Sequence, residues 1–161
     1  MKKFTAIIST LFFISPAFSL AELTEEQLRE ELKPLVKKLP MQLDSVTSLT
    51  SILVSPRKII LYKYAIDFDK TINDAAKQAN ISTDQLTTNA LKKFGSVDQW
   101  LKAWGDQYVA PLYKNQNCTT PATLRLMENG FSLLHVMYDM RGNYLYESKI
   151  TLEACDNIFP A

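Results

Sequence analysis

The stretch that most constrains this chain runs from Cys118 to Cys155, its only two cysteines. Between them lie a short capped helix, a strand, a glycine turn and a second strand. Bridging the pair ties the far end of a hairpin to the segment that enters it. For a loop of this length the chain-entropy model gives about 3–4 kcal/mol. Two free buried thiols are the alternative. Thr120-Pro121 opens the helix, because threonine can cap and proline at the first helical position loses only an unpartnered N–H. Leu124 and Met127 give it one apolar side, and Gly130 sits where a left-handed residue is wanted. Phe131 to Asp139 reads as a strand and Asp139-Met140-Arg141-Gly142-Asn143 as the turn. Tyr144, Tyr146, Ser148, Ile150 and Leu152 then form the buried side of the returning strand.

The other end of the chain says where such a bridge can form. Lys2 and Lys3 precede an apolar run, Phe4 to Ile14, that is too short to span a bilayer. Ser19-Leu20-Ala21 places small residues where a signal peptidase reads them. Residues 1–21 are therefore expected to be a secretory signal and residues 22–161 a single domain, periplasmic or secreted. An oxidising compartment of this kind favours the disulfide. No later stretch is apolar enough to cross a membrane. Removing Lys2 and Lys3 from 18 basic residues leaves 16 against 17 acidic ones, a net charge of −1. That balance offers no basic field for nucleic acid.

Thr24-Glu25-Glu26-Gln27 is a capping box, followed by Leu28, Leu32, Leu35 and Val36 at helical spacing. Pro34 predicts a kink or two shorter pieces. Val46 to Val54 and Lys58 to Phe68 read as strands turned at Ser55-Pro56, the second one alternating strictly. Ser82 to Gln85 and Ser96 to Gln99 are further capping boxes. A helix over Thr71 to Ala79 precedes the first of them. The last helix carries Trp100, Trp104 and Tyr108 and is expected to end near Pro111. Tight turns within each strand pair predict an antiparallel sheet. The expected fold is α+β: about four strands in two hairpins, several helices mainly on one face, and one disulfide.

Asp67-Phe68-Asp69-Lys70-Thr71, after the strongest strand, resembles the DxDxT signature of haloacid-dehalogenase-type phosphatases. The resemblance implies Asp67 as nucleophile and Mg²⁺ ligand and Asp69 as general acid, the metal offsetting phosphate repulsion. That family uses a parallel, doubly wound sheet, whose central strands are continuously apolar. The alternation here, and the lack of a second aspartate pair late in the chain, leave the pair as helix-start carboxylates. Asp67, Asp69 and Asn73 also hint at a calcium loop, without its glycine and terminal glutamate. His135 is the only histidine, and a lone strand histidine is expected to be structural. Neither a zinc site nor a Cys–His pair can be assembled from it and two bridged cysteines. No catalytic residue, cofactor or metal is therefore assigned.

Tyr62, Tyr64, Tyr144 and Tyr146 stand on two strands, each pair on one face. They are either core or, if the hairpins adjoin, one aromatic binding patch. Trp100 and Trp104 are expected in the core. Leu39-Pro40, Asp44, Thr47, the Leu61-Tyr62-Lys63-Tyr64 strand, Gly130 and Tyr138-Asp139-Met140-Arg141-Gly142 resemble small exported gammaproteobacterial proteins described as quorum-sensing-regulated virulence factors. The resemblance implies a secreted or periplasmic α+β protein without established enzymatic activity. The expected role is a non-enzymatic exported binding or accessory protein, possessing a protein or small-ligand partner. A Mg²⁺-dependent phosphatase and a periplasmic chaperone or inhibitor, the latter exposing an apolar groove or sheet edge, are the alternatives.

Overall fold

The computed structural model of the protein describes residues 22–156. The expected signal segment, residues 1–21, lies outside the described residues. Helix α1 (Glu25–Val36) starts at the Thr24 box, with Thr24 accepting from Gln27 N and Gln27 reaching back to the Thr24 N–H. It runs unbroken through Pro34. The proline stands in the last turn, so the helix ends soon after the ring removes its donor, and no second piece forms. Leu28 and Leu32 bury the inner face of α1. Its outer side reaches the first hairpin, where Lys58 N donates to Glu25 Oε1 at 2.9 Å and Arg29 Nε donates to the Val54 carbonyl at 3.1 Å.

The sheet has five strands, in the order β1 (Met41–Gln42), β2 (Thr47–Ser55), β3 (Ile59–Ile66), β4 (Ser132–Asp139) and β5 (Tyr144–Ile150). Four were expected; the addition is the two-residue edge strand β1. The pairs β1–β2, β2–β3 and β4–β5 are antiparallel, as tight turns require. The central pair β3–β4 is parallel, with Tyr62 opposite His135 and Tyr64 opposite Met137. The expectation of an all-antiparallel sheet fails here. Two hairpins can adjoin in either sense, and the long helical crossover between them permits the parallel one. The strict alternation of β3 survives because the buried residues Ile60, Tyr62, Tyr64 and Ile66 all face one side. The opposite side carries Leu61, Lys63, Leu53 and Lys149, none of them buried. A parallel pair reads as continuously apolar only when both faces are covered.

The crossover consists of α2 (Phe68–Gln78), α3 (Thr83–Phe94), α4 (Val97–Trp104), α5 (Ala110–Thr119) and α6 (Pro121–Glu128). The Ser82 box is complete, and Gly95 ends α3 at φ 85°. Ser96 caps α4 through the Gln99 N–H. The helix does not stop at Pro111. A wide turn over Gly105–Val109, in which the Ala110 N–H reaches back to the Gly105 carbonyl, joins α4 to α5. Pro111 then falls in the first turn of α5, where its missing donor costs little. Thr120 precedes α6 as expected, but its hydroxyl donates to the Gln116 carbonyl and leaves the α6 start uncapped.

α6, β4, β5 and the short α7 (Leu152–Cys155) realise the cysteine-bounded unit, and Cys118 and Cys155 are bridged. Gly142 takes φ 86° in the β4–β5 turn. The Asp139 carboxylate fastens that turn by accepting from Arg141 N and Asn143 N at 2.8 Å each and from Asn143 Nδ2 at 2.7 Å. A bulge between Met137 and Tyr138 breaks the expected alternation of β5. Leu145 is buried and Tyr144 exposed, because an extra residue reverses the face of everything beyond it.

Candidate functional site

The inner face of the sheet is lined by Tyr62 and Tyr64 on β3 and His135 on β4, and α5 lies across it with Tyr113 and Asn117. His135 is 3% exposed. The Asn117 amide nitrogen donates to the Tyr113 carbonyl at 2.8 Å and faces His135 Nε2 at 3.2 Å. An amide nitrogen can only donate, so Nε2 accepts and the ring proton sits on Nδ1. Nδ1 then donates to the Tyr64 hydroxyl, 3.0 Å away. The Tyr64 hydroxyl is left free to bond that of Tyr113. The Tyr62 ring stacks on the imidazole at 5.1 Å and 10°. Thr123 Oγ1 closes the network by donating to the Asn117 carbonyl at 2.5 Å.

Burial is the cause of the main electrostatic features. It pushes the His135 imidazole down to about 3 and holds the Tyr62, Tyr64 and Tyr113 hydroxyls well above the usual phenol range. The folded protein therefore keeps His135 neutral, while the unfolded chain takes a proton below about 6.5. The unfolded state binds more protons between these values, so stability falls as pH drops through the window. Wild type is expected to lose about 2 kcal/mol between pH 7 and pH 5 from this group alone. His135→Gln should flatten that slope in urea titrations at each pH; an unchanged slope would place the loss elsewhere.

Two cavities open on this face. The inner one, about 50 Å³, has Tyr62, Tyr64, His135 and Asn117 on its floor and Leu35, Leu49 and Ile52 on its walls. The outer one, about 200 Å³, lies between the Leu43–Thr47 segment and the helix carrying Trp104, Tyr108, Leu112 and Tyr113. Leu43, Tyr113 and Gln116 line both, so the two form one groove. On its lip Tyr108 is 67% and Leu112 42% exposed. They stand four residues apart, on one side of the helix.

The four tyrosines singled out in the sequence are not brought together. Tyr62 and Tyr64 are buried at the floor of the inner cavity. Tyr146 lies over Gly105, and its hydroxyl donates to Asp106 Oδ1 at 2.7 Å. Desolvation first, and that carboxylate second, push its hydroxyl up to about 12. The β5 bulge puts Tyr144 on the other face, edge-on to Tyr138 at 6.3 Å. Trp100 and Trp104 are half-buried, clasping Phe68 at 6.1 and 5.6 Å.

Asp67 is the cap of α2 and accepts from Lys70 N at 2.9 Å. Asp69 is exposed and stands 3.9 Å from the Arg141 guanidinium. The sheet around them is mixed and not doubly wound, and no group of three or more His, Cys, Asp or Glu able to hold a metal occurs among the described residues. The sequence pointed to neither Leu112 nor Asn117, because the helix bearing them was expected to stop at Pro111. An i, i+4 pattern through Trp104, Tyr108 and Leu112, and through Tyr113 and Asn117, was the signal available.

No protein-family model matches the chain, and no curated protein sequence matches it. Solved structures do. A candidate secreted protein of Pseudomonas aeruginosa is similar over 84% of this chain and 98% of its own, at 10% identity and a TM-score of 0.51. The chain shares that protein's fold. A type 2 secretion system pilotin of Vibrio vulnificus is similar over 81% of this chain and 90% of its own, with 13% identity and a TM-score of 0.44. A type II secretion pilotin of Vibrio cholerae follows at 81% and 91%, with 12% identity and a TM-score of 0.43. The likeness to the first protein is one of fold.

Proposed function

We propose that the protein is an exported accessory protein that holds an apolar segment of a protein partner in the groove between the Leu43–Thr47 segment and α5. One observation carries this role. The outer cavity is walled by Leu43, Val46, Trp104, Val109 and Leu112 and leaves Tyr108 and Leu112 uncovered at its edge. Apolar and aromatic side chains line most binding openings, tryptophan and tyrosine are the usual anchors of a buried contact, and tyrosine gives contact area at low entropic cost. Tyr62 and Tyr64 take part as the floor of the adjoining inner cavity. Export is supported by the basic, apolar and small-residue pattern of residues 1–21 and by the disulfide.

A photoreactive residue placed at Leu112, in cells of the source organism, is expected to give a discrete protein adduct. The same residue at Lys149, on the far side of the sheet, should give none. Adding Tyr108→Asp should reduce the Leu112 adduct at least about tenfold, because a carboxylate set against an apolar contact is costly. Equal adducts from both positions, or an adduct indifferent to Tyr108→Asp with the protein folded, would overturn this role.

A further inference from the structure

The free side of β5 is a surface that the groove does not use. Which backbone groups face it follows from two hydrogen bonds of β4. Asp139 N donates to the Asn143 carbonyl, toward β5, and Ser132 N donates to the Lys58 carbonyl, toward β3. Backbone groups alternate sides along a strand. Leu133, His135 and Met137 therefore face β5, where they pair with Ile150, Ser148 and Tyr146. That leaves Glu147 and Lys149 with their own N–H and C=O groups turned to the open edge. β5 is the last strand of the sheet, and among the described residues no backbone hydrogen bond leads from it to another element. The Glu147 N–H is met only by the hydroxyl of exposed Tyr144. An opening of about 570 Å³ adjoins the strand. Tyr146 and Glu147 point to opposite faces of β5 and both line it, so it lies along the edge itself.

Unpaired edge groups are a template for another strand. The side chains say which strand. Glu147 and Lys149 are exposed, and neither meets an opposite charge among the described residues. Pairing across the edge must set outward-facing residues against each other. A second β5, antiparallel to the first, can do so about a two-fold axis at Glu147, Ser148 or Lys149. The first choice sets Glu147 on Glu147 and the last Lys149 on Lys149, and like charges directly opposite are destabilising. The middle choice sets Glu147 on Lys149 of the second copy, and the symmetry repeats that pair. Both pairs then exchange backbone hydrogen bonds. The same register carries Tyr144 toward Leu152 of the second copy, and both are exposed.

We propose that β5 is an interaction edge that pairs with β5 of a second copy, antiparallel and about Ser148, with Glu147 of each chain against Lys149 of the other. The pairing does not rest on the partner role above. A photoadduct that it gives at Lys149 has twice the mass of the chain, so it is told apart from capture of another protein.

The test is sedimentation equilibrium of the oxidised protein at low salt, with urea midpoints as the check on folding. A concentration-dependent dimer is expected. Glu147→Lys and Lys149→Glu should each weaken it at least about tenfold, since each turns both attractive pairs repulsive. Combining the two substitutions should restore it, because the exchange leaves the pairs complementary. In the protein without substitutions, the Glu147 and Lys149 amides should exchange at least about tenfold more slowly in the dimer than in dilute solution, where the edge is free. A single species of one chain's mass at every concentration overturns the pairing and makes the two charges guards of a solitary edge. So does a dimer whose Glu147 and Lys149 amides gain no protection, whether or not the variants fold. A dimer that a folded charge reversal leaves unweakened, or that the folded double exchange fails to restore, overturns it as well.

Discussion

Gly105→Ala is expected to cost about 3 kcal/mol of folding stability. The backbone there is ordinary right-handed helix, so conformation is not the obstacle. The obstacle is the Tyr146 ring: a Cβ on Gly105 would lie 2.0 Å from its Cδ2 and 2.2 Å from its Cε2. That ring cannot move freely. Its hydroxyl is bonded to Asp106, which also holds Lys102 at 2.5 Å. Either the ring or the wide turn must shift, and forced overpacking of this kind costs roughly 1–3 kcal/mol or more. The sign makes urea denaturation decisive. Without the clash, alanine in a helix would be about 1 kcal/mol better than glycine. A stabilised Gly105→Ala would show that the ring does not rest there. Tyr146→Ala in the same chain should return most of the loss, giving a coupling that a remote pair would lack.

Removing the disulfide is expected to cost about 4 kcal/mol. Cys118 and Cys155 are 37 residues apart, a separation for which the loss of unfolded-chain freedom gives that figure. Both are buried, one at the end of α5 and the other in α7. Cys118→Ala with Cys155→Ala should match the reduced wild type in urea midpoint to within the cost of two small cavities. Amide exchange should rise first in β5 and α7, the elements that the bridge returns to the helical layer. Equal stability of oxidised and reduced protein would mean that packing alone closes this unit.

The parts of this fold legible in the sequence are those decided within a few residues. The Thr24 and Ser82 boxes, the Gly95 and Gly130 helix ends and the Gly142 turn are local chemistry and stand where the residues put them. The cysteine pair was legible because there is only one way to pair two cysteines. Distant choices were not legible. Nothing in β3 or β4 alone says which way they align, since a strand covered on one face alternates whatever its neighbour's direction. The β5 bulge turns Tyr144 away from Tyr146 through one extra residue, with no glycine to announce it. The wide turn at Gly105 carries the helix past Pro111, and it packs against a tyrosine 41 positions later, Tyr146 less Gly105. The groove shared that fate. Leu43, Asp44, Trp104, Leu112 and Tyr113 come from two separate stretches and converge only once α5 lies across the sheet. Its sequence trace, the i, i+4 spacing of Trp104, Tyr108 and Leu112, was cut by the expected helix end at Pro111.

The parallel join at the middle of the sheet sets a timetable for assembly. Tyr64 meets His135 across 71 positions of sequence, while β2 and β3 are neighbours on the chain and β4 and β5 are another such pair. Each hairpin joins neighbouring stretches of chain; the seam between them carries the entropic cost of closing the whole helical crossover. Until the seam forms, β3 and β4 are both bare edges, each rich in apolar residues that another chain could pair with. The interval before the central strands meet is when this protein is most exposed to aggregation, and its length is set by the crossover.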